Sequence, residues 1–160
     1  MAYTVDVQST RRYPADYIRA VASAANEAMI LTGVSEGAAV TVLLTDDSYI
    51  RELNRQYRGE DLATDVLSFP AGDPLPGSEG LLEYLGDIAI AVPVAEKQAA
   101  EKGHELQAEL QLLTVHGILH LVGHDHLEAE EKEAMWAAQS AILKHLGLEN
   151  IQPTEDEHDD

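Results

Sequence analysis

Four of the seven histidines in this chain fall between residues 116 and 126. The segment reads His116-Gly117-Ile118-Leu119-His120-Leu121-Val122-Gly123-His124-Asp125-His126. His116 and His120 stand one helical turn apart, so on a helix their imidazoles share one face and can hold one ion. Gly123 suits the left-handed turn that ends a helix. Beyond it the chain can turn back and close the site with a further histidine. Three neutral imidazoles with an open fourth position suit zinc, which can activate water at neutral pH. The chemistry expected is therefore metal-assisted hydrolysis with one Zn(2+) ion.

The spacing H-x-x-x-H-x-x-G-x-x-H selects His126 as the third ligand and matches the ligand spacing of metzincin proteases. His124 follows Gly123 directly and has less chain with which to swing round, so the expected set is His116, His120 and His126. A purely structural zinc is the main rival. Such sites fill all four positions with protein ligands and favour cysteine, and this chain has no cysteine. His124 or Asp125 would then be the fourth ligand. Asp125 has two equal readings: it orients a ligand imidazole, or it caps the last helix in a capping box with Glu128. Proteases of the H-E-x-x-H type carry a general-base glutamate after the first histidine. Gly117 occupies that position here, which argues against a peptidase.

The elements that must position these residues follow from periodicity. Tyr3, Val5 and Val7 alternate as a half-buried strand does. Pro14 opens a helix over Ala15 to Thr32 with Tyr17, Val21, Ala24, Ala25, Ala28 and Leu31 at helical spacing, stopped by Gly33. Ala38 to Leu44 is a β-rich run, and Asp46 or Asp47 can cap a helix reaching about Tyr57. Thr64 to Phe69 reads as a strand ended by Pro70, residues 71–84 as a loop, and Leu85 to Val92 as another strand. Pro93 begins a helix that Gly103 ends. An apolar helix runs from about Glu105 to Val122, and an amphipathic one over residues 128–146 carries Met135, Ile142 and Leu146 on one stripe. The order β-α-β-α-β-β-α-α-α predicts an α+β fold: a single domain over residues 1–151, with a small mixed four-stranded sheet, about five helices, and the metal site on a central helix. Residues 152–160 form an acidic tail expected to be disordered.

Ten basic residues against 29 acidic ones give a net charge of -19. Phosphate affinity comes largely from Lys and Arg, so this balance argues against non-specific nucleic-acid binding. All six arginines lie in the first 58 residues. Arg51, Arg55 and Arg58 share one face of a helix, as a solvated face or as a local anion site. For Arg58 taken alone, a surface ion pair with Glu60 or Asp61 is the better expectation. The longest apolar run, Leu112 to Val122, is broken by His116, Gly117 and His120 and falls short of the roughly 20 residues that span a bilayer. With no signal-type segment at the start and no cysteine, a soluble cytoplasmic protein is expected.

The window from His116 to His126 resembles the signature of the YbeY family of metal-dependent endoribonucleases. Three further stretches agree, in the family's order: Tyr57-Arg58-Gly59-Glu60-Asp61, Thr64-Asp65-Val66-Leu67-Ser68-Phe69-Pro70, and Leu85-Gly86-Asp87-Ile88. The similarity runs from the first strand through the last helix. Position 124, often tyrosine in the family, is His124 here, and the acidic tail is peculiar to this chain. The resemblance implies zinc ligands at His116, His120 and His126. It implies a single-strand-specific endoribonuclease that matures the three-prime end of small-subunit ribosomal RNA and serves ribosome quality control. Its partners would be single-stranded and ribosomal RNA and the small subunit or its proteins. The resemblance also makes Arg58 catalytic, and its planar fork suits the charge that grows on phosphoryl oxygens. The rival readings are another zinc hydrolase, such as a peptidase, and a non-catalytic ribosome-assembly factor with a structural metal. Asp65 and Asp87 are read as strand-end caps or as acids behind the ligands, Ser68 as a backbone partner and Trp136 as core. His104 is read as a helix-start residue, and His145 lies in a last turn, where a cation suits the dipole.

Overall fold

The computed structural model describes residues 3–71, 84–123 and 129–148. The chain runs β1 (Thr4–Ser9), α1 (Ala15–Leu31), β2 (Ala39–Thr45), α2 (Asp47–Arg58), β3 (Val66–Pro70), β4 (Tyr84–Ala91), α3 (Val92–Lys102), α4 (Leu106–Leu121) and α5 (Ala129–His145). The strands form one four-stranded sheet in the order β1-β2-β4-β3. β1, β2 and β4 are mutually parallel, and β3 runs antiparallel along the β4 edge. Among the described residues, five helices and a mixed four-stranded sheet make the α+β architecture that the order of elements implies.

Alternation on the strands sorts the side chains into two faces. Val40, Val42, Leu44, Ile88, Ile90 and Val66 join one cluster with the helices α1, α4 and α5. Ile50, Leu67, Ala89 and Ala91 form a second cluster on the other face, where α2 lies over the sheet. Helix α4 is apolar on nearly every side and is enclosed accordingly. Leu110, Leu112, Leu113, Val115, Ile118 and Leu119 are all buried, each worth about 1.5–3 kcal/mol on removal from water. The helix that carries the histidine pair is thus buried along most of its length.

Two glycines set how closely the layers approach. Gly117 faces β4, where an added Cβ would sit 2.9 Å from the Ile88 side chain. Gly86 has φ +139°, and a Cβ there would overlap the Phe69 carbonyl oxygen across the β3–β4 ladder. Both positions fix the distance between the α4 helix, β4 and the edge strand.

Helix α2 begins at Asp46, whose side chain accepts from the Tyr49 amide at 2.8 Å and from Arg11 Nη2 at 3.2 Å. The Tyr49 amide first, and Arg11 after it, hold the Asp46 carboxyl below the usual carboxylate range, against an opposing contribution from burial. A depressed folded-state pKa contributes stability above the unfolded value of about 4, and this is lost as pH falls through the folded value. Asp46→Ala is expected to destabilise the chain by about 1 kcal/mol at neutral pH. The gap between the two thermal unfolding curves should close once both are recorded in acid, below the folded pKa.

Trp136, expected in the core, is only half-buried. Its ring instead carries the Lys132 ammonium 5.0 Å from the centroid. Met135, Gln139, Ile142 and Leu143 occupy the buried stripe of α5, and position 136 falls on its flank. His104 does more than start a helix: its Nε2 lies 2.5 Å from Oε1 of the fully buried Glu109. His145 lies in the last turn of α5, 3.4 Å from Glu27.

Candidate metal-centred active site

The helix periodicity that sets His116 and His120 on one face also points them at one spot. Their Nε2 atoms are 3.1 Å apart, with ring centroids at 4.6 Å and planes inclined by 70°. Two ligands at 2.0–2.1 Å in a tetrahedral arrangement around zinc stand about 3.3 Å apart. The pair therefore has ligand spacing before any ion is considered.

The protonation pattern agrees. His116 is buried at 7% exposure, and its Nδ1 lies 3.2 Å from Gln139 Oε1 on helix α5. An amide oxygen only accepts, so Nδ1 carries the proton and Nε2 presents its lone pair toward His120. A lone pair facing another ring nitrogen at 3.1 Å calls for a proton or a cation between them. Gln139 is itself 2% exposed and holds the His116 ring from behind, the position from which a carbonyl or carboxylate orients a metal-ligating imidazole in metal sites generally. Sequence reasoning missed it: a lone glutamine in an amphipathic helix, 23 residues from its partner, carries no spacing signal. The expected third ligand, His126, lies outside the described residues, as do His124, Asp125, Glu128 and the acidic tail. Among the described residues alone, no three donors form a metal-holding group.

Arg58 closes α2 just before Gly59, which takes the left-handed conformation at φ 72°. Arg51 of the same face pairs with Asp61, and Arg55 pairs with Glu52. The expected surface ion pair of Arg58 with Glu60 or Asp61 is not formed. Arg58 Nη2 instead donates to the Ser68 carbonyl of β3 at 3.2 Å. Ser68 is paired with Ile88 across the ladder, and Ile88 packs beneath Gly117. A short run of contacts thus connects the guanidinium to the residue that follows His116. The buried Ser68 shares the Val66 face of β3 and, through its carbonyl, serves as a backbone partner.

Asp65 and Asp87 separate. Asp65 is 2% exposed at the start of β3, where its backbone carbonyl accepts from the Ala91 amide at 2.8 Å. Asp87 lies on the opposite face of the sheet from α4, bonded to the Tyr84 hydroxyl at 2.5 Å, and so does not stand behind the histidines. Gly117 supplies a physical reason for the missing glutamate of the peptidase pattern, because the helix–sheet contact leaves no room for a side chain there.

A buried helix presenting paired imidazoles beside a mixed sheet, with a guanidinium at the sheet edge, makes this a single-domain α+β protein with a candidate metal site. The family model described as Endoribonuclease YbeY matches residues 4–147. Proteins named Endoribonuclease YbeY resemble the chain over most of its length. The one from Desulforamulus reducens is 47% identical over 118 residues, covering 72% of this chain and 77% of its own. Those from Geobacillus thermodenitrificans and Bacillus licheniformis are 42% and 38% identical, covering 89% and 92% of this chain and 94% and 98% of their own. A solution structure of a Thermotoga maritima protein shares the fold, with a TM-score of 0.58 at 23% identity over 98% of this chain and 100% of the other. The chain belongs to the endoribonuclease YbeY family.

Proposed function

We propose that this chain is a zinc-dependent endoribonuclease that cleaves single-stranded RNA in the cytoplasm. Its expected role is ribosomal RNA processing, notably three-prime maturation of the small-subunit RNA and ribosome quality control. Family membership supports the endoribonuclease activity, and the 3.1 Å Nε2–Nε2 approach is the observation that carries the metal dependence. His116 and His120 would hold the ion, with His126 as the third ligand. A bound zinc would supply Lewis acidity and activate water near neutral pH.

The protein's own residues account for the rest. Gln139 keeps the proton on His116 Nδ1 and fixes the ring plane, so that Nε2 remains a ligand. Arg58 offers a planar fork to the phosphoryl oxygens, where negative charge grows during phosphodiester cleavage. Its bond to the Ser68 carbonyl is easily exchanged for a charge-assisted one. The net charge of -19 leaves this guanidinium as a local attraction on an acidic body, so affinity for RNA should depend on few phosphate contacts.

Metal analysis paired with RNA cleavage tests the proposal. The purified chain should contain one zinc per molecule and cut single-stranded RNA. A chelator should stop the reaction, and added zinc should restore it. Undiminished cleavage by a folded, metal-free chain would refute the zinc dependence. A tightly held metal without any cleavage would favour a structural role in ribosome assembly.

A further inference from the structure

The sheet face turned away from α4 is incompletely covered by α2, and the gap is a cavity of about 340 Å³. This lies at the small end of the roughly 300–1,000 Å³ range of ligand pockets. Tyr49 and Tyr57 from α2 and Phe69 from β3 line it. Tyr57 is 66% exposed and Tyr49 45% exposed. Tyr57 stands edge-on to Phe69, with centroids at 5.4 Å and planes at 65°. One exposed aromatic needs no explanation, but two around one opening, with a half-buried third between them and the sheet, do.

The polar lining has one sign. Asp87 and Thr41 line the same cavity. The Tyr84 hydroxyl lies 2.5 Å from Asp87 Oδ1 and 2.8 Å from Thr41 Oγ1. Burial first, and the Asp87 bond after it, push the Tyr84 phenol up, so it stays a proton donor to Oδ1. Among the described residues no partner engages Asp87 Oδ2. A carboxylate in the lining repels phosphate and favours a neutral ring bearing N–H donors.

We propose that this cavity is a base-binding subsite for single-stranded RNA: an unpaired base with an exocyclic amino group stacks on Tyr57 and donates to Asp87, while Arg58, the next residue along α2, holds a neighbouring phosphate. The RNA class of the occupant rests on the endoribonuclease reading above. Stacking on an aromatic side chain is tolerant of sequence, because every base has a flat face. Asp87 adds discrimination, since a carboxylate accepts from the amino group of cytosine and equally from those of adenine and guanine, whereas uracil has none. The placement connects the two faces. Tyr57 and Arg58 are adjacent in the chain. Arg58 binds the Ser68 carbonyl, Ser68 lies on the α4 side of β3, and the next residue, Phe69, lines the cavity. An RNA strand crossing the β3 edge would place a base in the cavity and a phosphate at the guanidinium. It would then continue to the histidine side. Such a subsite also answers the charge problem, because it supplies affinity that does not come from phosphate neutralisation.

The test uses the full chain treated with chelator and six-nucleotide single-stranded RNAs that carry one 2-aminopurine. Binding is expected to quench the 2-aminopurine fluorescence through stacking. Tyr57→Ala should weaken binding by about tenfold or more and remove the quench, and Tyr57→Phe should keep both. Wild type should prefer an oligocytidine to an oligouridine, and Asp87→Asn should lose the preference. A folded Tyr57→Ala chain with unchanged affinity and quench would overturn the subsite, as would equal affinity of wild type for the two oligomers. If Tyr57→Ala does not fold, free cytidine titrated into wild type decides the matter. Shifts of the Thr41 and Ala89 amide resonances with cytidine, and none with ribose 5-phosphate, support the subsite, and no shifts refute it. Failures are separable, because a chain that cuts RNA without base-dependent quenching loses only the subsite. One that stacks the base but never cuts RNA loses the endoribonuclease reading instead.

Discussion

Replacing His116 with alanine is expected to abolish RNA cleavage and zinc retention together, in a chain that still folds. The truncation removes one imidazole of the pair and leaves Gln139 Oε1, its acceptor, buried without a donor. That loss costs about 1–3 kcal/mol, which a domain with roughly 5–15 kcal/mol of stability can absorb. The informative companion is Gln139→Leu. It keeps both imidazoles and removes only the bond that fixes the His116 tautomer, so zinc affinity should fall about 10–100-fold. Saturating zinc should then restore cleavage to Gln139→Leu but not to His116→Ala. Zinc content after gel filtration, circular dichroism and cleavage of a single-stranded RNA at graded zinc concentrations check the pair. A folded His116→Ala chain with wild-type cleavage would remove the histidine pair from the mechanism.

The second large effect concerns Arg58. Arg58→Ala is expected to lower kcat by about 10²–10³-fold, the usual cost of losing one donor to a developing oxyanion. Arg58→Lys should recover only part of the rate, because an ammonium cannot present two parallel donors to a phosphate. Stability should fall by no more than about 1 kcal/mol, since among the described residues the exposed side chain makes one bond, to a carbonyl. Arg55 is the matched control. It lies one turn away, pairs with Glu52 and is similarly exposed, and Arg55→Ala should leave kcat unchanged. A rise in KM alone for Arg58→Ala would show that the guanidinium binds substrate and transition state equally.

Much of this was legible in the amino-acid order, and the reasons differ by residue. His116 and His120 announce themselves because a helical repeat and a shared ligand demand the same spacing. Boundaries of α2, α3 and α4 follow from Asp46, Pro93, Gly103 and Gly123, whose conformational preferences act locally. Long-range pairings leave no such trace. Nothing in Gln139 marks it as the partner of a histidine 23 residues away, and nothing in Ser68 marks its carbonyl as the acceptor for Arg58. The strand order β1-β2-β4-β3 likewise depends on how β3 reverses before β4. Trp136 in the last helix reads as core, yet the stripe of α5 that meets α4 passes through Met135 and Gln139 instead. The choice of Gly117 had two causes, of which only one was visible beforehand: the absent glutamate was legible, whereas the Ile88 contact that enforces it was not.

The bond between His116 and Gln139 couples two events that would otherwise be independent. One end belongs to the central helix and the other to the last helix of the fold. Any ion that prefers the oriented imidazole therefore also favours the docked position of α5. By mass action, a ligand at a thousand times its dissociation constant stabilises the state it selects by about 4 kcal/mol. Zinc would thus act as a late fastener of the tertiary structure, and the chain's response to zinc scarcity would extend beyond lost activity to a looser α5 and greater exposure to proteolysis.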